Sequence, residues 1–108
     1  MACARGLKPK SLMQLRIGQL AVADIDAIFE YGLLNFGPDA AIAYLDQMEA
    51  KYRLLLDHPR SGRTEPELGA EVRSLSCRSH RIYYQIEGDT ILIRRVRHKA
   101  SDPRWWLG

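Results

Sequence analysis

Side chains capable of chemistry crowd the last third of this 108-residue chain. Arg81, Arg94, Arg95 and Arg97 are cations, and His80, His98 and Tyr83 can carry a proton. A metal-free ribonuclease uses those types: a base for the 2′-hydroxyl, an acid for the leaving oxygen, and cations on the phosphate. The same arginines suit plain binding, because a guanidinium fork grips a carboxylate as well as a phosphate. A third reading is structural, with Arg73 and Arg94 pairing with acids of another layer of the fold. Spacing alone leaves the three open. His98 follows a strand end, where it is expected to hydrogen-bond backbone and hold the tail. Ser79 and His80 are adjacent, and neighbours on a strand point to opposite faces, so no nucleophile–base pair is expected there. Trp105 and Trp106 stand at an otherwise polar terminus and either dock on the sheet or stay available for a partner.

Other chemistries find no footing in the pattern. No Gly-rich phosphate loop, HExxH or GxSxG occurs. Cys3 and Cys77 are the two cysteines, with no CxxC or clustered Cys/His spacing. We therefore expect no metal, no cofactor and no disulfide framework, as in a reducing cytoplasm. The start lacks the apolar run of a signal peptide. No stretch approaches the roughly 20 apolar residues that span a bilayer, so no membrane role is expected.

The elements that must position these groups follow from periodicity. Residues 12–17 alternate as a first strand, Met13, Leu15 and Ile17 on one side. A helix is predicted from Gln19 to Asn35, with an apolar stripe at Val22, Ile25, Ile28, Phe29 and Leu33, and with Asp24, Asp26 and Glu30 outward. Gly37 ends it, and Pro38 suits the first position of a second helix, because its missing N–H has no intrahelical partner. That helix carries Ala41, Tyr44, Leu45, Met48, Tyr52, Leu55 and Leu56 on one face and ends near Asp57, ahead of Pro59. Residues 58–69 read as loop. Val72–Cys77 is a strand. Residues 79–97 form a hairpin about Gly88-Asp89, where glycine tolerates positive φ. The order is β-α-α-β-β-β: an α+β two-layer domain, an antiparallel or mixed sheet with an N-terminal helical hairpin packed on one face. Residues 1–12 are expected to be a flexible tail, and residues 13–108 one domain.

Charge is uneven along this plan. Residues 1–20 hold four bases and no acid, residues 21–69 four bases and nine acids, and residues 70–108 eight bases and four acids. An acidic helical layer therefore faces basic ends, which either attract one another or leave a basic functional face.

Four stretches carry a resemblance: Leu20–Ile25 with Ile28 and Tyr31; the loop His58-Pro59-Arg60-Ser61-Gly62-Arg63 with Glu67-Leu68; Ser79–Tyr84; and Ile91–His98 followed by Asp102. In this order and spacing the chain resembles a ParE-type toxin of the RelE/ParE superfamily, over about residues 13–102. The resemblance implies the same two-layer fold and a ParD-like antitoxin. The antitoxin would wrap the helical hairpin and basic sheet face, touching Tyr31, Tyr52, Arg73, Arg81, Arg94 and Arg97, and DNA would be contacted only through that complex. RelE-like members cut messenger RNA on the ribosome, usually with a C-terminal tyrosine or a histidine/glutamate set. Here Lys99-Ala100-Ser101-Asp102 follows His98 with no tyrosine. The resemblance thus implies the ParE branch, a non-enzymatic inhibitor of DNA gyrase, with Arg104, Trp105 and Trp106 as the target-binding tail. The alternative is a ribosome-dependent endoribonuclease built on Arg81, Arg95 and His98.

Overall fold

The computed structural model describes residues 13–101. The tail expected at residues 1–12 and the target-binding residues Arg104, Trp105 and Trp106 lie outside the described residues. Along the chain run β1 (Gln14–Ile17), α1 (Gln19–Phe36), α2 (Pro38–Asp57), β2 (Arg63–Thr64), β3 (Val72–Cys77), β4 (His80–Glu87) and β5 (Thr90–His98). The strands make a five-stranded sheet in the order β1-β5-β4-β3-β2. β1 lies parallel to β5, and every other pair is antiparallel. The architecture is therefore the α+β arrangement that the periodicity implies. One short strand, β2, is added where composition predicts only loop.

The helices join through Gly37 alone (φ 91°). The α2 stripe is the one the spacing predicts: Ala41, Met48 and Leu55 are buried, with Tyr44, Leu45, Tyr52 and Leu56 half-buried beside them. The α1 stripe is rotated from expectation. Ala21 is fully buried and Ile25 and Ile28 face inward, whereas Val22 and Leu33 remain 44% and 39% exposed. Alanine carries little weight in a hydrophobic pattern, yet its small side chain is what admits a helix close to a sheet. Asp24 is also turned inward rather than outward, with consequences described below. The first turn of α1 holds no acid, so its acids gain nothing from the helix dipole.

Tyr84, Met48, Leu55, Ile82, Ile91 and Ile93 are the largest fully buried side chains, and they join helices to sheet. Each contributes about 1.5–3 kcal/mol by leaving water. Strict alternation fails once, in β5. Tyr83 pairs with Arg95 and Tyr84 with Ile93, which leaves Arg94 as an extra residue. This bulge resets the pleat. Ile91, Ile93 and Val96 all join the main core despite the odd spacing between the last two. On the sheet's other face, Tyr83 is buried with Val72 and Leu68 in a second, smaller cluster.

The loop after α2 is fastened from beneath. The Tyr84 hydroxyl donates to the Pro59 carbonyl (2.7 Å) and accepts from the Gly62 N–H (3.0 Å). The Arg73 guanidinium donates to the carbonyls of Arg60 (3.2 Å) and Gly62 (2.8 Å).

Candidate functional site

Two surfaces and one side-chain cluster could meet a partner. The first is an apolar groove of about 450 Å³ where α1 and α2 pass over β1. Leu15 and Ile17 of β1, Ile25 of α1, and Leu45, Met48, Tyr52 and Leu56 of α2 line it, with Glu49 and Arg53 at the rim. Those two rim charges form an exposed i,i+4 pair (3.7 Å), worth little in itself. The Tyr52 hydroxyl points at the Met48 sulfur (3.9 Å). Burial, with Cys77 adding to it, pushes the Tyr52 phenol up to about 12. It therefore stays neutral and presents an apolar ring to the groove.

The second surface is the sheet face away from the helices. Register places Ser74 beside Tyr83 and Ser76 beside Arg81 and Arg97. The bulge residue Arg94 reaches back to Gln85 on this face. A polar chain runs across it. Arg63 Nε donates to Glu65 Oε2 (2.8 Å), the Ser74 hydroxyl donates to the same oxygen (2.6 Å), and Arg81 Nε donates to the Ser74 hydroxyl (3.0 Å). Burial pushes the Glu65 carboxyl up. The Ser74 hydrogen bond, Arg63 and Arg81 outweigh it, so its pKa lies below the usual value. Burial and the nearby Glu65 charge raise the Tyr83 phenol, which outweighs the opposing pull of Arg81, Arg63 and Arg97. The face is basic, but one carboxylate already organises two of its arginines.

The cluster sits at one end of the sheet. The Tyr44 hydroxyl of α2 donates to the Cys77 carbonyl (3.2 Å) and meets His80 Nδ1 and the Ser79 hydroxyl (3.2 Å). The His80 ring packs edge-on against His98, centroids 5.5 Å apart. Burial foremost, and the neighbouring His98, lower the His80 pKa, with Asp24 opposing. His98 Nδ1 accepts the Ala100 N–H (3.0 Å), and the Ser101 N–H donates to the His98 carbonyl (2.9 Å). His98 thus holds the turn where the chain leaves the sheet, as its position at a strand end predicts. The expectation for Ser79 and His80 needs correction. Ser79 lies in the turn rather than on the strand, so its hydroxyl comes within 3.3 Å of His80 Nδ1. Tyr44 occupies the same nitrogen.

The structure disperses the residues that sequence groups together. Arg81 is on the open face. Arg95 instead forms a two-pronged ion pair with Asp24 of α1 (2.8 and 3.0 Å), and Asp24 also accepts the Val96 N–H (2.9 Å). That hydrogen bond and charge raise the Arg95 pKa. His98 packs at the strand end. Arg81, Arg95 and His98 thus have different partners: the Ser74 hydroxyl, the Asp24 carboxylate and the Ala100 N–H. The pairing expected of Arg73 with a helix acid needs correction, since Arg73 holds loop carbonyls; Arg94 bonds Gln85. Arg95, just past the bulge, is paired with a helix acid. Tyr52 lies in the groove, and Tyr31 stands apart at the hairpin tip. Leu15, Ile17, Glu65 and Ser74 carry no signal as site residues, because a groove between layers and a loop carboxylate depend on tertiary placement. Among the described residues no group of three or more His, Cys, Asp or Glu side chains could hold a metal ion. Among them, too, no helix is long and apolar enough to cross a membrane.

Comparison with known proteins adds to this geometry. Residues 15–103 match the family model for the ParE toxin of the type II toxin–antitoxin system, parDE. Toxin ParE1 of Caulobacter vibrioides is 30% identical over 93 residues, covering 86% of this chain and 96% of the relative. Toxin ParE1 of Mycobacterium tuberculosis is 31% identical over 83 residues, covering 76% and 85%. A solved structure described as the chromosomal ParDE TA system from P. aeruginosa shares the fold. Its TM-score is 0.70 at 23% identity, covering 82% of this chain and 97% of that one.

Proposed function

The chain belongs to the ParE toxin family of type II toxin–antitoxin systems, and from that premise we propose that it acts by binding rather than by catalysis. In this reading a ParD-like antitoxin neutralises it in the cytoplasm, and the free toxin inhibits DNA gyrase. The observation that carries the antitoxin part is the apolar groove, whose lining of Leu15, Ile17, Ile25, Leu45, Met48, Tyr52 and Leu56 is open to a partner. An amphipathic antitoxin segment would lay its apolar side there. Its acidic side chains would reach Arg81, Arg94 and Arg97 across the sheet. Arg73 supports that surface from behind, by fixing the loop. DNA enters only through the antitoxin complex. Arg104, Trp105 and Trp106 are assigned to the target.

The engagement of Arg95 by Asp24 and of His98 by the Ala100 N–H supports a non-enzymatic toxin over ribosome-dependent cleavage. The test is gyrase supercoiling and DNA cleavage with purified toxin, with and without excess antitoxin. Trapped double-strand cleavage that antitoxin relieves is the expected result. Intact gyrase activity at micromolar folded toxin, together with message cleavage on ribosomes, would replace this reading with the endoribonuclease one.

A further inference from the structure

The helical hairpin overhangs the sheet. Tyr44, six residues into α2, already meets the sheet's end through His80. The roughly 9 Å of helix before it, and the matching end of α1, therefore extend further. On this overhang Tyr31, Leu34, Phe36 and Ile42 are 62%, 79%, 70% and 51% exposed. The rings of Tyr31 and Phe36 meet edge-on at 6.2 Å, and Asn35 fixes the turn by donating to the Tyr31 carbonyl (2.8 Å). Together they leave on the order of 500 Å² of apolar surface in water, enough to mark a contact site.

Charge decides what fits. Glu30 and Asp39 are exposed at the tip, and residues 19–50 contain no Lys, Arg or His at all. A second copy docking tip to tip would crowd four carboxylates with no cation between them. A protein pocket that is apolar at its centre and ringed by Lys or Arg matches both features. Position decides which partner. The antitoxin groove lies along the other flank of the hairpin, at Leu45 to Leu56. The tip shares its end of the molecule with the point where the C-terminal segment departs, since His98 stacks on His80 and holds the turn to Ser101. We infer that the hairpin tip, Tyr31, Leu34 and Phe36 with Glu30 and Asp39, is the toxin's target-facing surface. It takes a basic-rimmed apolar pocket of a protein and remains uncovered by the groove-bound antitoxin segment. This rests on the toxin reading above.

Two variants test it, Leu34→Arg/Phe36→Ser and Glu30→Lys/Asp39→Lys, all at exposed positions. Each is induced in cells, with immunoblots to equalise expression and melting curves to confirm folding. The expected result is that at least tenfold more toxin is needed for growth arrest, with antitoxin affinity within twofold of wild type. Undiminished growth arrest would overturn the inference. Loss of antitoxin affinity would assign the tip to the antitoxin, and conversion of a self-associating toxin to monomer would assign it to a second copy. Either overturns the inference. If wild-type toxin does not arrest growth, the toxin reading itself fails, and this inference falls with it.

Discussion

Replacing Gly62 by alanine should unfasten the loop that carries Arg60 and Arg63. A Cβ built at Gly62 falls 2.6 Å from the Tyr84 hydroxyl, 2.7 Å from Tyr84 Cε1 and 2.7 Å from the Ser74 carbonyl oxygen. None of these atoms can withdraw. Tyr84 is fully buried, and the carbonyl belongs to the β3 ladder. The methyl group therefore costs about 1–3 kcal/mol in overpacking. Displacing the phenol also loses its bonds to Pro59 and Gly62, about 1 kcal/mol each net. The sum is about 3–5 kcal/mol, or a fall of at least about 12 °C in Tm for a domain of this size. Tyr84→Phe separates the contributions. It keeps the ring but removes the hydroxyl, at about 1–2 kcal/mol. In the double variant the Ser74 carbonyl and the ring carbon still clash, so it should stay below Tyr84→Phe by at least about 1 kcal/mol. Urea unfolding at constant slope reads all three. A Gly62→Ala protein within about 0.5 kcal/mol of wild type would show that the loop is not clamped as described.

Further outcomes follow from the site. Asp24→Ala strips Arg95 and the Val96 N–H of their shared partner in a largely buried setting, so urea unfolding should show a loss of about 2–4 kcal/mol. Tyr52→Ala should weaken the antitoxin by about 30-fold in calorimetric titration, the cost of removing one buried aromatic anchor. Deleting residues 104–108 should abolish growth arrest and leave antitoxin binding intact; undiminished toxicity would remove the tail from the target contact. His80 has a lowered pKa in the folded protein, so the unfolded chain takes up the proton first. Its contribution is complete above the unfolded value of about 6.5 and is lost as the pH falls toward the lowered one. Stability should decline on acidification through this window, and His80→Gln should flatten the slope.

Periodicity read the fold well where one face is buried and the other wet. The α2 stripe and both hairpin strands fall as expected because large side chains mark them. The α1 stripe is mis-centred because Ala21 is the residue that sits deepest, and volume rather than hydropathy selects it. The bulge at Arg94 is silent in sequence, since three successive basic or β-branched residues satisfy either register. The extra residue resets the pleat, and Arg95 beyond it holds Asp24. Alternation with Ile82 and Tyr84 puts Tyr83 on the outer face, but Leu68 of the preceding loop covers it, and no local pattern reveals which loop folds over a sheet. The groove was legible only in part: Tyr52 was named, whereas Leu15 and Ile17 contribute through the parallel pairing of β1 with β5.

That pairing stops at Ile93, and the rest of β5 would present bare backbone to any passing strand. The Asp24 carboxylate closes it by taking the Val96 N–H and holding Arg95 across the gap. A bulge and an inward acid are both devices that discourage strands from adding to an edge. The chain exposes an apolar groove but not a sticky sheet margin along that half of β5. A free molecule is guarded there against acting as a seed for sheet-to-sheet aggregation.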